Sequence, residues 1–268
     1  MPLRDLFLLT AIAVIGLFAL RKPQIGLLGW LWISVMNPHR LSYGFIYSMP
    51  LLDGLAAVTV LSCIVHWKEK ASAEFHPILK LLLAFYVWCT LTTLFSVDIL
   101  LSYPDWLALT KTLVLVFFLA SFMNEKHWIL AIAGVFAISV AFFGVKGGLF
   151  TLRGGGGYRV YGPPGADWGS NNGVAIAMLM VGPVIIGFTG IFRQGLFKLA
   201  GYGSTLACLL TVLGTQSRGG LVGLLAMLGS VFLRSRKKLL ALIFVPILLA
   251  GGFLFMPQTW HDRMATII

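Results

Sequence analysis

Runs of apolar residues, each roughly 15 to 20 long, follow one another along the whole chain with short polar breaks between them, and a helix that crosses a bilayer needs about 20 residues. The pattern predicts spanning helices near residues 6–20, 24–36, 50–67, 78–95, 106–123, 128–149, 173–190, 196–214, 218–233 and 238–256. The expected fold is therefore all-α: a polytopic transmembrane helix bundle of about ten spans, forming a single transmembrane domain over residues 1–268. The first two runs are short, and Arg21, Lys22 and Pro23 between them fit a tight hairpin or a broken segment. The longest polar break, Thr151 to Asn172, contains Gly154 to Gly157 in series and the pair Pro163 and Pro164. Glycine and proline both oppose a helical backbone, so this stretch is expected to be a glycine-rich loop.

Composition narrows the class further. Hydrophobic residues make up 59% of the 268 and charged residues only 11%, against about 45–50% and about 25% in a soluble domain. A mean hydropathy of +0.92 excludes a disordered chain and a secreted disulfide scaffold. Cys63, Cys89 and Cys208 sit inside apolar runs and read as small core hydrophobes. The net charge of +11 would suggest nucleic acid in a soluble protein, but here the basic residues lie between apolar runs, where they record orientation. Twelve of the 20 Lys and Arg fall in one set of alternate connections, led by Arg234, Arg236, Lys237 and Lys238, and mark that set as cytoplasmic. Arg4, Arg40, Lys111, Lys146, Arg153, Arg159, Arg218 and Arg263 remain on the far face.

Those far-face cations are the candidate chemistry. Arg218 follows Gln216 and Ser217 directly between two apolar runs, with no acidic residue within thirty positions on either side. A guanidinium beside hydrocarbon costs several kcal/mol unless it is paired, so an external anion is a natural partner, and the planar fork suits phosphate oxygens. The plainer reading is an arginine snorkelling at a helix end. Lys146, Arg153 and Arg159 surround the glycine-rich loop, with Asp167 as the nearby acid, and flexible backbone amides plus three cations make an anion-binding concavity. Asn171 and Asn172 stand where they would cap the next helix. Arg40 belongs to another polar break, Asn37 to Arg40, and Asp53 is expected to pair with a far-side cation such as Arg40. No motif of metal spacing and no acyl-transfer elbow occurs, so no metal or other cofactor is expected.

The order of these landmarks resembles a known family. The run Gly29 to Arg40, then Gly144-Val145-Lys146-Gly147-Gly148, Gly155 to Val160, Gly162-Pro163-Pro164-Gly165, Asn171-Asn172 and Gln216-Ser217-Arg218-Gly219 is similar to the exosortase-associated O-glycosylation ligases, within the O-antigen ligase and polymerase superfamily. The resemblance implies a glycosyltransferase on the periplasmic face of a bacterial inner membrane. It would pass a glycan from an undecaprenyl-diphosphate carrier to a lipid or protein hydroxyl, with no metal and no nucleotide sugar. In the family basic residues neutralise the leaving diphosphate; here Arg218 is the candidate for that role, with Arg159, Arg153, Lys146, Arg40, Ser217, Gln216, Asn171 and Asn172 as candidate substrate contacts. A polysaccharide polymerase would share this chemistry and differ in its acceptor. An anion transporter would line a path with the same cations, and a non-catalytic assembly component is a further reading. Members of the superfamily continue into a large loop whose histidine is held to activate the acceptor. His261 lies before that point, so the chain reads as the N-terminal part of a longer protein.

Overall fold

A computed structural model describes residues 3–69, 77–166, 168–191, 194–234, 246, 250–251 and 254–265. Among these residues there is no strand. The α-helices are α1 (Leu3–Arg21), α2 (Pro23–Met36), α3 (Leu51–Val65), α4 (Pro77–Leu94), α5 (Ile99–Phe122), α6 (Lys126–Arg153), α7 (Asn171–Ile191), α8 (Gly195–Gly214), α9 (Arg218–Arg234) and α10 (Gln258–Ala265). Six of them, α1 and α4 to α8, are long and apolar enough to cross a membrane, as in a helical membrane protein.

The expected ten spans are thus reduced to six among the described residues, and helix length is the reason. Helix α2 has 14 residues and α3 has 15. At 1.5 Å per residue α2 reaches about 21 Å, short of a hydrocarbon layer of about 30 Å. Helix α9, with 17 residues, is also shorter than the six. The run at 238–256 lies for the most part outside the described residues, as do Asp167 and Arg236 to Lys238.

The chain divides into two compact units. Residues 1–34 and 42–132 form the first; 35–41 and 133–268 form the second. In the first unit α2 lies close against α1 and α3. A β-carbon on Gly26 would strike Thr59 and Ala19, and one on Gly29 would strike Ile15. Ser62 Oγ donates to the Ala19 carbonyl at 2.5 Å. Leu27, Trp30, Cys63, Leu115, Phe118 and Phe122 fill the core beneath. Helix α5 begins at Ile99 rather than near 106, because Asp98 Oδ1 accepts hydrogen bonds from the Leu100 and Leu101 amides and caps it. The helix then carries Pro104 inside it, as membrane helices tolerate. Asp53 pairs with Lys111, Nζ to Oδ1 at 2.6 Å, a cation of the set expected to hold it, although not the Arg40 given as the example. The choice between the two is one of fold, since Lys111 is carried by α5, which shares a core with α3, while Arg40 belongs to the other unit.

The second unit is built on α6 to α9. Helix α6 crosses α8 on glycine: β-carbons on Gly144 and Gly148 would strike Cys208 and the Ala207 backbone, and Thr211 Oγ1 donates to the Gly144 carbonyl at 2.6 Å. Such small-residue contacts let membrane helices approach closely, where no hydrophobic drive separates helix from lipid. Val140, Val174, Met178, Val181, Val212 and Leu224 close the core around that crossing. At one end of this unit the C-termini of α6 and α8 meet the N-termini of α7 and α9, and the polar breaks of the sequence gather there.

Candidate functional site

The link between α8 and α9 is three residues, Thr215, Gln216 and Ser217, all buried. To reverse the chain so tightly, Gln216 takes a left-handed backbone with φ of 51°. A residue with a β-carbon pays for that conformation, so it persists only where the surroundings fix it. Its side chain shows what fixes it. Gln216 Nε2 donates to the carbonyls of Gly156 at 3.0 Å and Gly157 at 3.5 Å, and Oε1 accepts from Arg159 Nε at 3.3 Å. The Val160 amide donates to the Gly214 carbonyl at 2.9 Å. Three hydrogen bonds to Gln216 and one to Gly214 at the end of α8 therefore sew the glycine-rich loop to the α8–α9 turn.

Ser217 caps α9. Its Oγ accepts from the Gly220 amide at 3.0 Å and donates to Asn172 Oδ1 at 2.7 Å. Asn171 Nδ2 donates to the Thr215 carbonyl at 3.1 Å. The two asparagines, expected as caps of α7, tie that helix to the same link instead. The capping oxygen of α7 belongs to Ser170, which accepts from the Gly173 amide at 3.0 Å. Asn172, Ser217 and the Gly220 amide thus form a relay joining the N-termini of α7 and α9.

Beside Gln216 opens a broad cleft of about 720 Å³, lined by Phe150, Gly157, Tyr158, Arg159, Tyr161, Gln216 and Thr259. Thr259 comes from α10, which is anchored by Met256, Trp260 and Met264 in the core and by a hydrogen bond from Trp260 Nε1 to the Leu213 carbonyl at 3.3 Å. Gly156, at φ of 72°, abuts Met256, so a β-carbon there would meet both a strained backbone and a sulfur.

The structure brings together Arg159, Gln216, Ser217, Asn171 and Asn172. Arg218 is the first residue of α9, exposed, and next to this network in sequence, but it is not in the cleft wall. A cation at a helix N-terminus adds to the positive end of the backbone dipole, so that spot favours an anion. Arg153 ends α6, where a cation complements the carbonyl end of the helix, and it is exposed outside the wall. Lys146 is exposed on α6 between the glycines that pack on α8. Arg40 sits with the proline-rich turn, its Nε 3.9 Å from where a β-carbon of Gly165 would lie. Trp168 Nε1, donating to the Val35 carbonyl at 3.2 Å, fastens the same turn to residues 35–41. Next to Arg40, burial and then the Arg40 charge hold the His39 imidazole below its ordinary 6.5. Among the described residues Lys111 pairs with Asp53 and His127 lies 3.2 Å from Glu125, while Arg153, Arg159, Lys146 and Arg218 of the second unit have no acidic partner there. No group of His, Cys, Asp and Glu that could hold a metal occurs among them either.

Sequence reasoning passes over Phe150, Tyr158, Tyr161 and Thr259. The Tyr-Arg-Val-Tyr spacing beside the glycines is a visible signal for two of them, whereas Thr259 reaches the cleft only through the docking of α10.

A family model described as a family of unknown function, DUF5935, matches residues 3–189, and the chain belongs to that family. The match includes the glycine-rich loop and Asn171-Asn172 and ends before Gln216 to Arg218. No curated protein and no solved structure matches the chain.

Proposed function

We propose that this membrane protein takes part in transfer of a glycan from an undecaprenyl-diphosphate carrier to an acceptor hydroxyl at the periplasmic face of a bacterial inner membrane. The observation that carries the reading is the setting of Arg159. Its guanidinium donates to a neutral amide rather than a carboxylate, at the mouth of an open cleft, and the Gln216 that holds it stands two residues before Arg218 in the chain. An arginine held by an acid is already neutralised. One held by an amide keeps its full charge for an incoming anion.

In the proposed step the acceptor oxygen bonds to the anomeric carbon as the bond from that carbon to the diphosphate breaks. The electron pair leaves with the diphosphate and the hydroxyl proton passes to water. Charge grows on the departing oxygen, and cations already in place stabilise it better than mobile water does. Arg218 and Arg159 are assigned that task, with Gln216 as the residue that positions Arg159. Arg40, Arg153 and Lys146 would add a positive field around the approach of the carrier.

The test is transfer by membranes containing the full protein, supplied with carrier-linked glycan and scored by release of undecaprenyl diphosphate. Arg218→Ala should abolish transfer while membrane insertion stays normal, and retained transfer would remove Arg218 from the mechanism. The length distribution of the product separates a ligase, which adds one glycan to each acceptor, from a polymerase, which builds a ladder.

A further inference from the structure

We infer that the aromatic side of the cleft is a subsite for the sugar next to the diphosphate, an inference that rests on the proposed glycan transfer. Phe150, Tyr158 and Tyr161 supply three aromatic rings to a cleft whose polar groups are Arg159, Gln216 and Thr259. Tyr158 is 70% exposed and Tyr161 59% exposed, and the ring of Tyr158 leans on that of Phe150 with centroids 6.4 Å apart. Large exposed aromatics at the end of a membrane helix are ordinarily interfacial anchors dissolved among lipid headgroups. These share a concavity with a guanidinium and a side-chain amide, which is the composition of a binding site with a few placed polar groups among apolar walls.

A pyranose fits that composition. Its ring carries a face of C–H groups that stacks on the electron-rich face of an aromatic ring, and its rim carries hydroxyls for an amide or a threonine. The volume of about 720 Å³ falls within the roughly 300–1,000 Å³ of small-molecule sites. Arg159 lies between the two tyrosines in sequence, so a diphosphate at its guanidinium brings the attached sugar beside the rings. The loop holding them is fixed at Gly156, Gly157, Arg159 and Val160 by its bonds to Gln216 and Gly214, so the rings project from a braced segment.

Three probes separate this inference from the diphosphate reading, measured against the full protein in detergent. They are undecaprenyl diphosphate alone, undecaprenyl diphosphate carrying one N-acetylhexosamine, and a free tetramer of N-acetylglucosamine. Tyr158→Ala and Tyr161→Ala should each weaken the sugar-bearing carrier by about tenfold, the scale of one stacked ring, and leave the bare carrier within about twofold. Tyr158→Phe and Tyr161→Phe keep the ring and should keep the binding, which controls for misfolding. Arg159→Ala should weaken both carriers alike. Equal loss of both carriers in the tyrosine variants, or no loss of either, overturns the sugar subsite. Arg159→Ala that spares both carriers overturns the diphosphate reading alone. Binding of the free tetramer that the tyrosine variants abolish, with neither carrier bound, does the same and keeps the sugar subsite.

Discussion

In the first unit Lys111 is held by Asp53 at 2.6 Å and His127 by Glu125 at 3.2 Å, whereas in the second Arg159 is held by the amide of Gln216, and Arg218 has no acidic partner among the described residues. The first arrangement is complete within the protein. Neighbouring contacts have the same character, with the Tyr86 hydroxyl against Thr110 at 3.0 Å and Trp106 Nε1 donating to Thr90 at 3.0 Å, so polar groups of α4 and α5 satisfy one another. The second arrangement spends its polar side chains on shaping a loop and leaves the charge unbalanced. The two units thus differ in what answers a guanidinium or ammonium: a carboxylate at Lys111, a neutral amide at Arg159.

The largest expected effect tests that contrast through activity. Arg159→Ala should lower the proposed glycan transfer by about a hundredfold or more, the usual loss when one preorganised stabilising group is removed, while Lys111→Ala should change it by no more than about twofold. Comparable losses in both variants would erase the distinction. Next comes packing: Gly148→Val forces a side chain into the Ala207 backbone and should destabilise the second unit by about 1–3 kcal/mol, as overpacked cores do, read as a lower midpoint of thermal aggregation in detergent. Gln216→Ala removes the stitches to Gly156 and Arg159 but keeps the left-handed strain, and should cost about 2 kcal/mol. Gln216→Gly loses the same bonds and relieves the strain, so it should be milder by about 1 kcal/mol. Asp53→Asn should cost at most about 1 kcal/mol, because both partners are partly exposed.

A pH titration sharpens the comparison further. The His39 imidazole is held below 6.5, so the unfolded chain binds its proton before the folded chain does. Stability should be full above about 6.5 and fall as pH drops through the lowered value. His39→Gln should flatten that fall, and an unchanged profile would remove His39 from the second unit's acid sensitivity.

The membrane class, the positions of most helices and the glycine-rich loop were legible in the apolar runs, because burial in lipid leaves a long, unmistakable signature. Helix α5 escaped at its start, since Pro104 reads as a break while the Asp98 cap that outweighs it is a single residue. Sequence also picked out Arg159, Gln216 and the two asparagines, all rare polar groups beside apolar runs. It misassigned the asparagines because a capping preference is local, whereas their bonds to Thr215 and Ser217 join positions more than forty residues apart. That Asp53 pairs with a cation of that set was legible, but which one was not: Lys111 lies 58 residues away, and only the packing of α5 beside α3 selects it.

The three-residue link between α8 and α9 has a consequence for the evolution of this end of the molecule. With Thr215, Gln216 and Ser217 all committed, there is no slack to absorb a length change. One inserted residue would turn α9 by about 100° about its axis and carry Arg218 away from its present bearing. Substitutions can accumulate on the exposed flank of α9, but insertions and deletions at 215–217 should be purged as if they were active-site mutations.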